Sequence, residues 1–345
     1  MRNLKIIIII LIPTLGFSQK NKTYNTWAEA KQTPELVYKL NLSNDSSINE
    51  IPREINILHN LEKLAVEKKG ITSIPSTIGE CLRLKELYLM ENRISTLPKT
   101  IGNLKSLETL HLRSNNLSSL PNSIGNLSNL RGLYLSENQL TYLPEEIGNL
   151  RFLEGIRLDE NQLTTIPVQI GELKNMHTFV ALKNNLVSLP ESFYRLSELK
   201  YLDLSDNELA NIDGIQQLIK LDILNLDNNK ITTLPNGIFN LVRLEKLNLS
   251  NNDLSSVKLE FTNWVKLEEL HLENNNIQTI PESIGHLLEL SRLYLQGNPI
   301  EQLPDTLTNL KKLNWLNLSD TQVNQFDIDK LKSQLPGLGV TTRGK

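Results

Sequence analysis

Leu84-Lys85-Glu86-Leu87-Tyr88-Leu89-Met90-Glu91-Asn92-Arg93-Ile94 is answered 23 residues later by Leu107-Glu108-Thr109-Leu110-His111-Leu112-Arg113-Ser114-Asn115-Asn116-Leu117. The shared pattern is L-x-x-L-x-L-x-x-N-x-L, followed by x-x-L-P-x-x-I-G-x-L-x-x. In L-x-L the leucines return at a period of two, the mark of a strand with one buried face. Repeats begin at Val37, Leu61, Leu84, Leu107, Leu130, Leu153, Met176, Leu199, Leu221, Leu244, Leu267, Leu290 and Leu313. The first period is 24 residues, the one from Leu199 is 22 and the other ten are 23, which makes twelve full repeats and a truncated thirteenth. So short a repeat buries its leucines only against its neighbours, so stability requires a stack.

The second half of each repeat turns the chain away from the strand. Pro98, Pro121, Pro144, Pro167 and Pro190 follow its leucine or isoleucine. Proline gives no N–H to a ladder and holds the residue before it extended. Gly102, Gly125, Gly148 and Gly171 then permit a tight backbone. Ten successive repeats carry asparagine at one slot: Asn92, Asn115, Asn138, Asn161, Asn184, Asn207, Asn229, Asn252, Asn275 and Asn298. An asparagine side chain donates and accepts at once, which suits backbone bonding in a turn.

On these motifs the chain resembles the leucine-rich repeat family across residues 37–323. The L-P-x-x-I-G-x-L half resembles the subtype of plant disease-resistance-type and Ras-scaffold-type repeat proteins, which is also found in secreted bacterial proteins. The resemblance implies an α/β solenoid: a horseshoe with a parallel concave β-sheet and an irregular convex side. It also implies that the asparagine column is a structural ladder inside the turns. The chain lacks the cysteine-rich end caps of secreted animal members, which argues against an animal extracellular receptor.

A solenoid exposes its core at both ends and needs caps. Thr26-Trp27-Ala28-Glu29 has capping-box spacing and predicts a short helix from Trp27 that stops before Pro34, with Trp27 as a lid. Ile328, Leu331 and Leu335 predict one face of a helix ending at Pro336, and Leu338 and Val340 a final edge strand. Ahead of the caps, Arg2 and Lys5, the apolar run Ile6–Ile12, and the small residues Gly16 and Ser18 read as a signal peptide cut between Ser18 and Gln19. That run is too short for a membrane span of about 20 residues. The expected organisation is a signal peptide at 1–18, a helical cap at 19–36, repeats at 37–323, and a helical cap and tail at 324–345. The expected location is secreted, periplasmic or at the cell surface of a bacterium.

Composition narrows the function. The net charge of −3 has the wrong sign for a general nucleic-acid binder. Aromatics are only 5% of the chain, fewer than a conventional core of this length uses. Cys81 is the single cysteine, so it offers neither an intrachain disulfide nor a thiolate zinc site. It fills a leucine slot and reads as core. The histidines are His59, His111, His177, His271 and His286. His111 and His271 share a column but stand seven repeats apart, over about 30 Å at 4.8 Å per strand. No His-Glu-x-x-His, Gly-x-Ser-x-Gly or phosphate loop occurs. The sequence therefore reads as non-enzymatic, with no cofactor and no metal.

Two repeats depart from the pattern. Asp213 and Lys258 replace the expected proline, and Trp264 fills a leucine slot. Either local packing repairs this drift, or curvature changes there and shapes a binding surface. Asn-x-Ser/Thr sequons at Asn21, Asn41, Asn44, Asn116, Asn126, Asn248 and Asn317 read as by-products of the repeated N-L-S.

Function then falls to the concave face. Its distinctive stretch is Tyr88, Met90, His111, Arg113, Tyr134, Arg157, Val180 and Leu182, with Tyr201 beside it. Tyrosine and arginine are enriched at interface hot spots, and exposed apolar groups often mark contacts. A protein partner is the expected ligand. A secondary patch of His271, Arg292, Tyr294 and Trp315 offers ring faces for a glycan or cell-wall polymer, the alternative alongside a structural surface role.

Overall fold

Alternating leucines can bury one strand face only if every strand faces the same way. The computed structural model, which describes residues 20–342, realises this arrangement. The expected signal peptide and its cleavage site lie outside the described residues, as does the end of the tail. The chain divides into an N-terminal unit running to Gln162 and a C-terminal unit starting at Leu163.

In the N-terminal unit the strands are β1 (Thr23–Tyr24), β2 (Lys39–Asn41), β3 (Lys63–Ala65), β4 (Glu86–Tyr88), β5 (Thr109–His111), β6 (Gly132–Tyr134) and β7 (Gly155–Arg157). They pair parallel in chain order. The register sets Leu40, Leu64, Leu87, Leu110, Leu133 and Ile156 side by side, all buried. The flanking residues of each strand point to the other face, which is open. Short 3-10 turns at Ser76–Glu80, Lys99–Asn103, Asn122–Asn126 and Glu145–Asn149 return the chain, each entered through an extended proline. These turns stack closely. A Cβ added at Gly102 would lie 2.4 Å from the Ser123 carbonyl oxygen, so only glycine fits. A second ladder runs here, unforeseen from the sequence: Thr77 and Thr100 donate their hydroxyls to the carbonyls of Arg53 and Ser76, both at 2.6 Å.

At the N-terminal end α1 (Trp27–Ala30) is capped by Thr26, whose hydroxyl accepts from the Glu29 N–H at 3.2 Å. Asp45 ties this helix to the first repeat by accepting from the Trp27 N–H at 2.7 Å. Trp27 is only half-buried, whereas Tyr24 and Ala30 are buried, so these two close the core more fully than the expected lid. Cys81 is buried with its Sγ 3.6 Å from the Ile55 carbonyl, and burial pushes the thiol up to about 12.

The C-terminal unit holds β8 (Thr178–Val180), β9 (Tyr201–Asp203), β10 (Ile223–Asn225), β11 (Lys246–Asn248), β12 (Glu269–His271), β13 (Arg292–Tyr294), β14 (Trp315–Asn317) and β15 (Gly339–Thr341), again parallel in chain order. The two irregular repeats lie here, and aromatic side chains fill the space they leave. Tyr194 takes the glycine slot, and its ring occupies the position that a Cβ on Gly214 would need, 2.2 Å away. Phe239 takes the glycine slot two repeats further on and packs 5.2 Å from the buried Trp264, whose indole N–H donates to the Ile238 carbonyl at 3.1 Å. Two turns, at 255–256 and 262–263, with irregular chain between them replace a 3-10 turn in that repeat. At the far end α2 (Gln325–Gln334) starts at Asn324, whose side chain accepts from the Asp327 N–H at 2.9 Å. It buries Ile328 and Leu331, with Leu335 just beyond, and leads into β15.

Candidate functional site

Strands 4.8 Å apart force side chains in one column into contact. On β4, β5 and β6 that column is Tyr88, His111 and Tyr134. His111 stacks on Tyr134 with centroids 4.8 Å apart and planes 15° apart, and stands 6.1 Å from Tyr88. His111 and Tyr134 therefore face one another and present their edges outward, while Tyr88 is tilted by 32° to His111. Tyr134 leans back over Gly132, where a Cβ would lie 2.9 Å from its ring. At the other end the Lys63 ammonium sits 4.5 Å from the Tyr88 centroid. The Tyr88 hydroxyl donates to Glu86 at 2.9 Å, and Glu86 also takes Lys63 at 2.7 Å. Burial holds the His111 pKa below its usual value, and Arg113 adds to this, so the ring is neutral at pH 7. Its buried Nδ1 has no hydrogen-bond partner.

Around this stack Arg113 donates from Nε to Glu137 at 2.9 Å and is held in place. Arg157, on the exposed end of β7, meets Asp159 only at 3.4 Å. Met90 is half-buried beyond Tyr88. The N-terminal unit thus carries six of the nine primary residues on one face. Lys63, Glu86, Gly132 and Glu137 complete that surface and were missed in the sequence. The available signal was position: three of them lie two residues from, or one strand over from, an aromatic on the same face.

In the C-terminal unit Leu182 and Tyr201 are half-buried on the open face. Val180 is only 1% exposed, so it presents no surface and leaves the expected patch. Its apolar character serves packing.

The secondary patch is organised by charge. His271 sits between two carboxylates of its own repeat, with Nδ1 2.9 Å from Glu273 and Nε2 3.0 Å from Glu269. Both ring nitrogens must donate there, which requires the imidazolium. Burial pulls its pKa down, but the hydrogen bonds to Glu273 and Glu269 outweigh that and hold it above the usual value. Arg292 reaches Glu269 at 2.6 Å. Tyr294 stacks on His271 at 4.1 Å and 8°, so one of its faces is covered. Trp315 is exposed and lies over Gly339 of β15, where a Cβ would be 3.4 Å from the indole.

The ten asparagines lie beneath these faces and are buried. Asn115 is representative: its Nδ2 donates to Leu89 O at 2.9 Å, Leu112 O at 3.0 Å and Arg113 O at 3.3 Å, and its Oδ1 accepts from Ile94 N at 3.0 Å. The ladder falters at Asn275, whose buried Oδ1 has no partner opposite the irregular repeat. The position just ahead of the slot is left-handed, as at Glu91, Ser114 and Glu137 with φ of 55°. Among the described residues no group of three or more His, Cys, Asp or Glu side chains is placed to hold a metal. Cavities of about 310 Å³ (lined by Glu50, Arg53 and Ser73, among others) and about 510 Å³ (lined by Gln278, Gln302 and Gln322, among others) lie in the return loops, off the strand face. No helix among the described residues is long and apolar enough to cross a membrane.

Parallel one-strand repeats, buried leucines and an asparagine ladder define the class, and family models agree. A leucine-rich repeat region matches residues 77–161, two copies of the repeat match 197–240, and further leucine-rich repeat models match 243–264 and 258–300. The chain belongs to the leucine-rich repeat family. Among solved structures it is similar to a leucine-rich repeat protein of Leptospira interrogans, at 29% identity and TM-score 0.63, covering 93% of this chain and 99% of that one. It is also similar to the ectodomain of the plant receptor kinase GASSHO1/SCHENGEN3 from Arabidopsis thaliana, solved with CASPARIAN STRIP INTEGRITY FACTOR 2. There the identity is 30% and the TM-score 0.71, over 85% of this chain and 36% of that one. The functional domain of InlJ from Listeria monocytogenes shares the fold at 21% identity and TM-score 0.56, over 82% of this chain and 68% of that one. A comparison with curated proteins found no match.

Proposed function

We propose that this chain is a secreted, non-enzymatic binding module that recognises a protein partner through its strand face, centred in the N-terminal unit on Tyr134 and Arg157. The ring row Tyr88–His111–Tyr134, with His111 stacked on Tyr134, carries the reading. Its faces are spent on one another, so it offers edges, a hydroxyl and a half-buried apolar flank at Met90. Such a surface suits interdigitating side chains, and tyrosine and arginine dominate hot spots. Arg157 is weakly held and free to pair with a partner's carboxylate. The leucine-rich repeat receptor ectodomain solved with its bound factor supports a protein or peptide ligand.

The test is affinity capture with residues 19–345 as bait, from the host envelope and from candidate target cells. A Tyr134→Asp/Arg157→Glu variant with unchanged circular dichroism serves as control. A protein retained by wild type and lost by the variant is expected. Equal retention by both baits refutes the assignment to this face. A glycan reading rests on Trp315, whose indole is exposed over Gly339. It predicts glycan-array binding that Trp315→Ala abolishes, and a blank array removes it.

A further inference from the structure

In the C-terminal unit, four consecutive repeats place an aliphatic residue at one slot of the turn that leads into the strand: Ile219, Val242, Val265 and Leu288. These side chains are 60, 48, 53 and 56% exposed. In the other repeats the slot carries polar residues such as Lys105, Ser128, Arg151, Lys174 and Lys311, except for Leu82, an exposed aliphatic that stands alone between His59 and Lys105 in its column. One aliphatic per repeat makes a row about 14 Å long at about 4.8 Å per strand. Isolated surface aliphatics need no explanation, but a contiguous row marks a contact.

The flanks say what kind of contact. Two positions before each of the first three aliphatics stand Gln217, Asn240 and Asn263, exposed and uncharged. One position after stand Lys220, Arg243 and Lys266. Two of these cations are neutralised within the chain. Lys220 bonds both oxygens of Glu198 at 2.7 Å, and Arg243 bonds Asp222 at 3.0 and 3.1 Å. Anionic lipid headgroups attract a surplus of free cations, and this row lacks one. The chain crosses the turn from the 3-10 side to the strand side, so the amide row and the basic row lie on opposite flanks of the aliphatics. A two-fold axis along the row sets each aliphatic against its counterpart and each basic row against the other copy's amide oxygens. An axis across the row would set basic against basic.

We propose that this row is a self-association surface, occupied by a second copy of this chain packed about a two-fold axis parallel to the row. The four repeats present about sixteen surface residues between 217 and 291. A stable interface uses about 20–30 residues a side, so the dimer is weak and depends on concentration. The row lies on the turns and not on the strand face, so this assembly is independent of the partner reading above.

Sedimentation velocity of residues 19–345 from about 1 μM to about 1 mM tests it, a range that brackets weak association. Wild type shifts from monomer to dimer with concentration. Val242→Lys/Val265→Lys weakens association at least tenfold, and the near-isosteric Val242→Thr/Val265→Thr weakens it less. Val168→Lys and Val187→Lys, equally exposed but at other slots, leave it unchanged. Wild type that stays monomeric throughout overturns the proposal. So does dimerisation that the double lysine variant retains, or a monomer that binds anionic vesicles through Val242 and Val265.

Discussion

Replacing Asn115 tests the ladder bond by bond. Its carboxamide makes four contacts with backbone, but they are not equivalent. Leu89 O keeps a second donor in Asn92 at 2.9 Å, and Leu112 O keeps one in Asn138 at 3.0 Å. Arg113 O still accepts from the Glu91 N–H at 2.9 Å. Only the Ile94 N–H, bonded to Oδ1 at 3.0 Å, loses its sole partner in Asn115→Ala. One buried orphan donor costs about 1–3 kcal/mol. Asn115→Asp has nearly the same shape and can still accept from Ile94. It cannot donate when ionised, and it sets a buried carboxylate about 3 Å from three carbonyl oxygens. That costs more than the alanine change, about 3–5 kcal/mol, in line with breaking a buried polar pair. The folded-state pKa of the new carboxyl lies above its unfolded value of about 3.9. The penalty is therefore absent below that value and grows as pH rises through the interval between the two. Urea melts by circular dichroism at pH 4 and pH 7 measure both effects. If Asn115→Ala unfolds like wild type, or Asn115→Asp is the milder change at pH 7, the ladder does not act as argued. Asn161, bonded in the same way, should lose about 1–3 kcal/mol on replacement by alanine.

Three further outcomes follow from the geometry. Gly102→Ala should cost about 3 kcal/mol, the upper end for over-packing, because the atom 2.4 Å away is a backbone oxygen that cannot swing aside; a urea melt checks it. His271 has a raised folded pKa, so its contribution is full below the unfolded value of about 6.5 and is lost as pH rises through the folded one. The stability gap between wild type and His271→Gln should shrink from pH 6 to pH 9, and a gap that widens contradicts the two-carboxylate clamp. With its thiol pushed up to about 12, Cys81 should resist iodoacetamide at pH 8 in the native state and react only in denaturant, as mass spectrometry would show.

The architecture was legible because a repeat states the same constraint many times. One L-x-L is ambiguous, whereas a dozen in register admit only stacked parallel strands, with the asparagine column and prolines marking each turn. The columns of the open face were equally legible, since strand alternation alone decides which residues share a side. Rotamers and depth were not. Tyr88, His111 and Tyr134 could be placed in one column from the sequence, but stacking edge-outward depends on the 4.8 Å ring spacing and on the room above Gly132. Val180 alternates as a surface residue yet is buried, because burial depends on how far neighbouring side chains reach across it.

The sequence by itself determined the repeat, its buried leucines and the order of the strands, all consequences of short-range periodicity. Tertiary structure decided what depends on contacts between repeats. It made His111 a neutral stacked ring and His271 a clamped imidazolium, although both occupy the same slot. It also let Tyr194 and Phe239 occupy glycine slots where an irregular neighbour leaves space. The physical reason is common to these cases: a side chain's charge and packing depend on what the next repeat sets about 5 Å away, and no single repeat carries that information.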